Sequence, residues 1–458
     1  MLRAHKIDAT KGPILINLIR FALPIAIGSL IQNLFSSADM TVLGNFADST
    51  AVASIGAAGV ISSLLVNFSI GLSAGVQVVF AQAVGERNSE KMKKTVSTSM
   101  VLSLIVGVLI AIIGFIVSRP LLVLTECPSE CISDAEIYLQ ISFICIIPSI
   151  IYNFGMSLIR AYGDTQRPLY YMIAMGVLNV ILNFILCLIM TNKVAAVAIA
   201  TLASQVLGVF LVIFRLIKSD DDCKLTLSKL SFDLVILKKI LLIGVPQAIT
   251  IAMFPLSNLQ IQSAINSFGP STIAGNSTTA IIEGWIGSFT SAIHNAIMTF
   301  MGQNIGARKP DRIRKTFIYG VLCGTVIGTV LGVGIYALGR PILRIFLPED
   351  LAAVEIGILR MQFIVLLYGF CFLKGTPSTG LQSFGYAIIS TINGIFSTLV
   401  LRIIWMNLIY PHFESINNIY LCYVVSWMVE AIIGAIAFAI IYKNKIKQLS
   451  NPIEKAVI

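Results

Sequence analysis

The residues best able to do chemistry are carboxylates and amides set in otherwise apolar sequence. Asp39 ends a stretch that is apolar or uncharged from Phe21 onward, and Ser29, Gln32, Ser36 and Asp39 recur at intervals of three and four. That spacing lines them along one side of a helix, in a polar stripe facing protein or water. A desolvated carboxylate there can have its charge switched by protonation or by a bound cation. The alternative is a helix-end carboxylate near the outer surface, held by local hydrogen bonds. Asn179 and Asn183 lie one turn apart in "MGVLNVILNFILCLIM", with Cys187 a turn further and Thr201 following in "AIATLASQ". Their neutral oxygens suit a sodium ion or a protonated carboxyl, and equally suit gluing helices together.

The second half carries different groups. Glu283 and His294 are eleven residues apart, about three helical turns, and Lys374, Arg402 and Glu430 follow. An ionisable residue inside a membrane span costs about 2.5–3.5 kcal/mol on insertion scales. Mutual pairing is therefore expected, of Lys374 with Glu283 or with Glu430, because an isolated buried charge is costly. A single cation-binding acid is the alternative. His294 reads as a satisfied interior histidine rather than a proton shuttle.

These residues need helices to hold them, and the composition supplies membrane helices. The 458 residues are 57 % hydrophobic and 12 % charged, with a mean hydropathy of +0.89; a soluble chain carries about twice that charged fraction. A spanning helix needs roughly 20 apolar residues. Twelve segments qualify, with approximate limits 14–40, 50–82, 96–124, 135–161, 168–190, 194–217, 236–267, 271–303, 316–346, 354–384, 386–410 and 416–442. Pro24, Pro148, Pro246, Pro255 and Pro377 fall inside spans, where neighbouring helices satisfy the freed carbonyls.

The loops alternate in charge. Of 32 Lys and Arg residues, 25 lie in residues 1–20, "GERNSEKMKK", "RAYGDTQRP", 215–239, "ARKPDRIRK" and the tail from Lys443. Short cytoplasmic loops carry this excess, which puts both termini in the cytoplasm of a multi-pass cell-membrane protein. The net charge of +10 thus reflects orientation, and no nucleic-acid-binding motif accompanies it. The N-terminal "MLRAHKIDATKGP" lacks a cleavage pattern and is read as retained. Eight scattered cysteines include one close pair, Cys127 and Cys131. That pair could bridge or bind metal, but no zinc spacing supports a metal, and small-hydrophobe behaviour is the simpler reading.

There is also a repeat. "FAQAVGERN" at 80–88 aligns with "MGQNIGARK" at 301–309, and "SRPLLVL" at 118–124 with "GRPILRI" at 339–345, both 221 residues apart; Gly163 and Gly385 are 222 apart. Six spans per copy give two parallel halves: residues 1–214, a cytoplasmic linker at 215–239, and residues 240–458. The same offset carries Asp39 to Gln260, so the carboxylate is not duplicated. Two six-span halves describe an alternating-access carrier. The absence of GxxxxGK[ST] leaves an ion gradient as the simplest energy source.

Several motifs together resemble the multidrug and toxic compound extrusion (MATE) family, over nearly the whole chain. They are "LPIAIGSLIQNLFSSADMTVLG", "AQAVGERNSEKMKK", "RAYGDTQRP", "LNVILNFIL" and "GQNIGARKPDRIRK". The resemblance implies an all-α integral membrane protein, with twelve transmembrane helices in two six-helix lobes forming a V. It implies export of cationic and amphiphilic small molecules, without a cofactor, coupled to inward movement of H+ or Na+. It makes Asp39 the coupling carboxylate, with Asn183 and Thr201 at matching positions and Asn179 beside them. Cys187 stands where the family pattern has Asp, which weakens a full sodium site and favours protonation of Asp39. A second-lobe acidic pair known in another branch is not matched; Glu283, His294, Lys374, Glu430 and Gln260 are the candidates there for a substrate or charge site. The chain is expected to act as a monomer in membrane lipid, with no nucleic-acid partner.

Two rivals remain. A lipid-linked oligosaccharide flippase shares the architecture but would line its cavity with several Arg or Lys residues, whereas Lys374 and Arg402 are the clear intramembrane cations. An intramembrane enzyme would rest on His294 with Glu283, around which no nucleophile or metal-ligand motif occurs.

Overall fold

Long apolar runs broken by short polar loops become helices, and every regular element among the described residues is helical. The computed structural model describes residues 6–46, 49–125, 127–219, 221–226, 228 and 230–450; the side chains of residues 36–46, 49, 50, 52, 53, 57, 60, 254, 256 and 450 lie outside the description. In order, the long helices are α1 (Ile14–Phe46), α2 (Ser49–Glu86), α3 (Ser89–Leu124), α4 (Ile132–Ala161), α5 (Gln166–Ile189), α6 (Lys193–Ile217), α7 (Leu234–Asn266), α8 (Pro270–Gly306) and α9 (Pro310–Ala337). Shorter pieces follow: α10 (Gly339–Phe346), α11 (Leu351–Arg360), α12 (Tyr368–Ser383), α13 (Ala387–Gly394) and α14 (Leu401–Ile404), before the long α15 (Ile416–Ser450). Three π turns, Met361–Val365, Ile395–Val400 and Trp405–Ile409, interrupt this last part.

Among the described residues ten helices are long and apolar enough to cross a membrane, or eleven when α11 and its π turn are joined to α12 across a 42° bend. The chain is a multi-pass membrane protein. The expected eighth span corresponds to α8, which has 37 residues but is not in that group. Asn276, Glu283, His294, Asn295, Gln303 and Asn304 lower its hydropathy. The expected ninth span is divided into α9 and α10 at Leu338. Among the described residues no disulfide joins any of the eight cysteines, Cys127 and Cys131 included.

Local chemistry sets the helix ends. The Asn88 and Asn192 side chains accept the backbone N–H of Lys91 and Ala195, capping α3 and α6, and Asp350 does the same for Ala353 at α11. Each satisfies a donor that the first helical turn leaves free. At α2, Arg87 N–H donates to Val84 O and Asn88 N–H to Ala83 O; at α8, Arg308 donates to Ile305 and Lys309 to Asn304. This paired closure needs a left-handed residue, and Arg87 (φ 55°) and Arg308 (φ 51°) supply it. The ends of α4 and α12 close identically through Gly163 (φ 104°) and Gly385 (φ 90°). The 221- and 222-residue offsets read from the sequence are thus repeated in backbone geometry.

The chain divides into two compact units: unit 1 is Met1–Ile7 with Ile27–Ala248, and unit 2 is Asp8–Ala26 with Ile249–Ile458. The chain passes between them inside α1 and again inside α7, at positions 222 residues apart. Within unit 1, α2 meets the first half of α7 backbone to backbone. A Cβ on Gly75 would lie 2.2 Å from the Ile240 carbonyl oxygen, and one on Gly71 would lie 2.4 Å from Ala248 Cα. Within unit 2, Phe21 packs edge-on against Phe300 at 5.5 Å, and Arg312 donates to the carbonyls of Ala9, Lys11 and Gly12.

Candidate functional site

Unit 1 gathers the neutral amides and hydroxyls. Helical spacing puts Asn179, Asn183 and Cys187 on the buried face of α5. Asn183 Nδ2 donates to Asn179 Oδ1 at 3.4 Å, and Asn179 Nδ2 donates to Thr201 Oγ1 on α6 at 3.5 Å. Three of the four coupling residues expected from the sequence are therefore one hydrogen-bonded chain. Both bonds are long, beyond the usual 2.7–3.2 Å range. The fourth, Asp39, belongs to α1, and its side chain lies outside the described residues, as does that of Ser36. Cys187 is fully buried among Ala51, Ile55, Val194 and Val197, an apolar setting for a residue where the family pattern has a carboxylate.

Thr201 also faces a cavity of about 60 Å³ bounded by α2, α4 and α6, lined by Ser62, Ser142, Ser149 and Gln205 among others. Gln205 Oε1 is buried there without a hydrogen-bond partner among the described residues. Leu65, Val66, Ile146 and Ala198 complete a mostly apolar wall, and the space is large enough for a water at its polar side.

Unit 2 gathers charge. Arg360, ending α11, forms a two-pronged ion pair with Glu283 on α8, Nε to Oε1 at 2.7 Å and Nη2 to Oε2 at 2.8 Å. Its remaining nitrogen donates to Asn276 Oδ1, one α8 turn pair earlier. Lys374 on α12 pairs with Glu430 on α15 at 2.9 Å, and Thr398 donates to the same carboxylate oxygen at 3.4 Å. Of the two pairings open in the sequence, the structure has Lys374 with Glu430. Glu283 is taken by Arg360, a residue of the tenth span that sequence reasoning did not weigh. Arg402, 1 % exposed, donates to Asn258 at 2.9 Å and to Ser257 and Ser426 at 3.4 and 3.3 Å. Its guanidinium lies 4.4 Å from the centre of the Tyr423 ring, and that of Arg360 lies 5.8 Å from the same centre.

His294 is not joined to Glu283 in this arrangement. Its ring stacks on Phe372 at 4.3 Å and 3°, with Nε2 3.4 Å from Thr376 Oγ1, and Gly375 leaves the room it needs. Gln260 is exposed on α7. The described intramembrane cations number three rather than two, Arg360 being the addition.

Comparison with known proteins fits this arrangement of two related helical halves. The MatE family model matches residues 24–185 and again 246–406, starting 222 residues apart. The probable multidrug resistance protein YoeA of Bacillus subtilis (strain 168) is 27 % identical over 339 residues, spanning 72 % of this chain and 73 % of that protein. Among solved structures, a MOP superfamily transporter from Pyrococcus furiosus, described as having a binding pocket of reverse polarity, superposes with a TM-score of 0.88 at 22 % identity, covering 95 % of this chain and 98 % of that one. A multidrug resistance MATE family transporter in an outward-facing conformation gives 0.88 at 22 % identity, covering 96 % and 98 %. The chain belongs to the MatE family of multidrug efflux transporters, which are carriers rather than enzymes.

Proposed function

We propose that this protein is an ion-coupled exporter of small amphiphilic compounds, organic cations among them, in which Asp39 is the coupling carboxylate. The observation that carries the reading is the Asn183–Asn179–Thr201 chain beside a small cavity in unit 1 into which several hydroxyls and the Gln205 amide face. These groups can bond a protonated carboxyl and release an ionised one. Cys187 offers no second carboxylate, which favours H+ over Na+. Protonation of Asp39 from outside then changes its bonding to Asn183 and Thr201, bends α1 at Pro24, and resets the carrier after substrate leaves. An ion can shift a conformational equilibrium only by its difference in affinity for the two states, and a proton meets that requirement here.

The remaining expectations belong to the same reading. The carrier has twelve spans in two lobes, residues 1–214 and 240–458, joined by 215–239. Both termini lie on the cytoplasmic side of the cell membrane, where the Lys and Arg excess is placed. The protein acts as a monomer in lipid. A flippase for pyrophosphate-linked sugars is disfavoured, because two of the three described intramembrane cations are neutralised by carboxylates.

The test is ethidium efflux from proteoliposomes under separately imposed H+ and Na+ gradients. The reading expects efflux driven by H+ alone. Efflux under neither gradient would sink it.

A further inference from the structure

We propose that the first half of α7 carries a binding site for one anionic membrane phospholipid, with an acyl chain lying in an apolar groove and the phosphate held by Lys238. The site is separate from the coupling chain and from the charge cluster of unit 2. It rests on the orientation given above only for its place in the cytoplasmic leaflet.

Two faces of α7 differ in what they touch. Gly244 and Ala248 are buried and meet α2 at Gly75 and Gly71 within unit 1. Leu234, Leu237, Leu241, Leu242 and Val245, together with Lys238, line an open groove of about 470 Å³ that ends at Pro246. Their intervals of three and four residues make one stripe along the helix. Leu234, Leu242 and Val245 are 70 %, 45 % and 37 % exposed, so the wall of this groove is left for hydrocarbon to cover.

Among the described residues Lys238 alone gives the groove a polar group. It is exposed, and neither it nor Lys239 has an ion pair or hydrogen bond among the described residues. The nearest acid along the chain, Asp233, accepts the backbone N–H groups of Val235 and Ile236 and caps α7. Glu90, on α3, is held by Lys94 at 2.7 Å. An unmatched ammonium at the end of an apolar groove fits a molecule that joins a phosphate to a long chain. From Lys238 to Pro246 the helix rises about 12 Å, close to the roughly 15 Å of one leaflet in a hydrocarbon core about 30 Å thick. A lysine at that depth reaches the headgroups along its own apolar stem, and an anionic headgroup is drawn to it more strongly than a zwitterionic one.

The test uses the full-length protein in vesicles of phosphatidylcholine and phosphatidylglycerol, with one lipid or the other brominated at mid-chain to quench tryptophan. Ile249→Trp, on the same stripe one turn beyond Val245, is the reporter, and the native protein supplies the background of its three tryptophans. Ile112→Trp, on α3 and 55 % exposed, reports bulk lipid. Phosphatidylglycerol is expected to be preferred about fivefold at Ile249→Trp, the contribution of one lysine near an anionic surface, and to show no preference at Ile112→Trp. Added to Ile249→Trp, Lys238→Gln should bring the ratio to about one, Lys238→Arg should keep it and Lys238→Glu should take it below one. Lys239→Gln, outside the groove, should change it less than Lys238→Gln does. Both leaflets hold the same lipids and no ion gradient or cargo is present, so loss of H+-driven export or a reversed orientation would leave this result standing. A ratio of about one at Ile249→Trp, an equal preference at Ile112→Trp, or a preference that persists in Lys238→Gln would overturn the proposal.

Discussion

The interiors of the two units are built from related sequence yet hold opposite chemistry. Unit 1 runs neutral oxygens and amides from Asn183 to Thr201 with long bonds and a cavity beside them. Unit 2 locks five charges between α7, α8, α11, α12, α14 and α15 with short, directed contacts. The repeat has kept the backbone punctuation, Arg87 with Arg308 and Gly163 with Gly385, and has let the interior diverge. Weakly bonded neutral groups can change partners cheaply, as the proposed proton-responsive site requires. Tightly paired charges resist rearrangement, which suits a framework.

That contrast can be broken by substitution, and the largest effects should fall in unit 2. Glu283→Ala or Arg360→Ala leaves an uncompensated buried charge and should cost about 3–5 kcal/mol, seen as a large drop in the apparent melting temperature of the purified protein. Exchanging the pair together for Gln and Met should cost much less. If the single and double variants melt alike, the pair is not the buried anchor described. Next comes the helix seam of unit 1. Gly75→Val forces a side chain against the Ile240 carbonyl and should cost about 1–3 kcal/mol, while Gly59→Ala, where a Cβ meets nothing within 4 Å, should melt like the native protein.

Lys374 and Glu430 sharpen the comparison further. Lys374→Gln and Glu430→Gln should each destabilise more than the double variant does, a sign of direct coupling that a melting cycle reads. The smallest stability effects belong to the proposed coupling chain, Asn183–Asn179–Thr201. Asn179→Ala and Asn183→Ala should each cost about 0.6 kcal/mol, the mean for hydrogen bonds between membrane helices, yet alter the pH dependence of efflux. A melting drop as large as that of Arg360→Ala would make the chain a structural pillar.

Much of this was legible in the sequence, for reasons particular residues make plain. Spans follow from long apolar runs, and the repeat from "AVGERN" and "NIGARK", whose arginines take the left-handed position that closes α2 and α8. The one-turn spacing of Asn179 and Asn183 fixed their shared face on α5. Arg360 lies in plain view inside the tenth expected span, 354–384, as an intramembrane charge like Lys374; only its choice of Glu283, 77 residues away on another helix, leaves no mark in periodicity. The π turns were equally invisible, since "MQFIV" and "WMNLI" carry the same residue types as the α-helices around them. The passage of α1 and α7 from one unit to the other also leaves no mark in hydropathy, because packing against either unit needs only an apolar face.

The division of labour between the units rests most on Asp39. The decisive measurement is dye efflux from proteoliposomes under separate H+ and Na+ gradients, comparing the native chain, Asp39→Asn and Glu430→Gln. The account expects H+-driven efflux to vanish in Asp39→Asn and to persist in Glu430→Gln. Efflux that survives Asp39→Asn but is lost with Glu430→Gln would place the coupling site in unit 2 and contradict it.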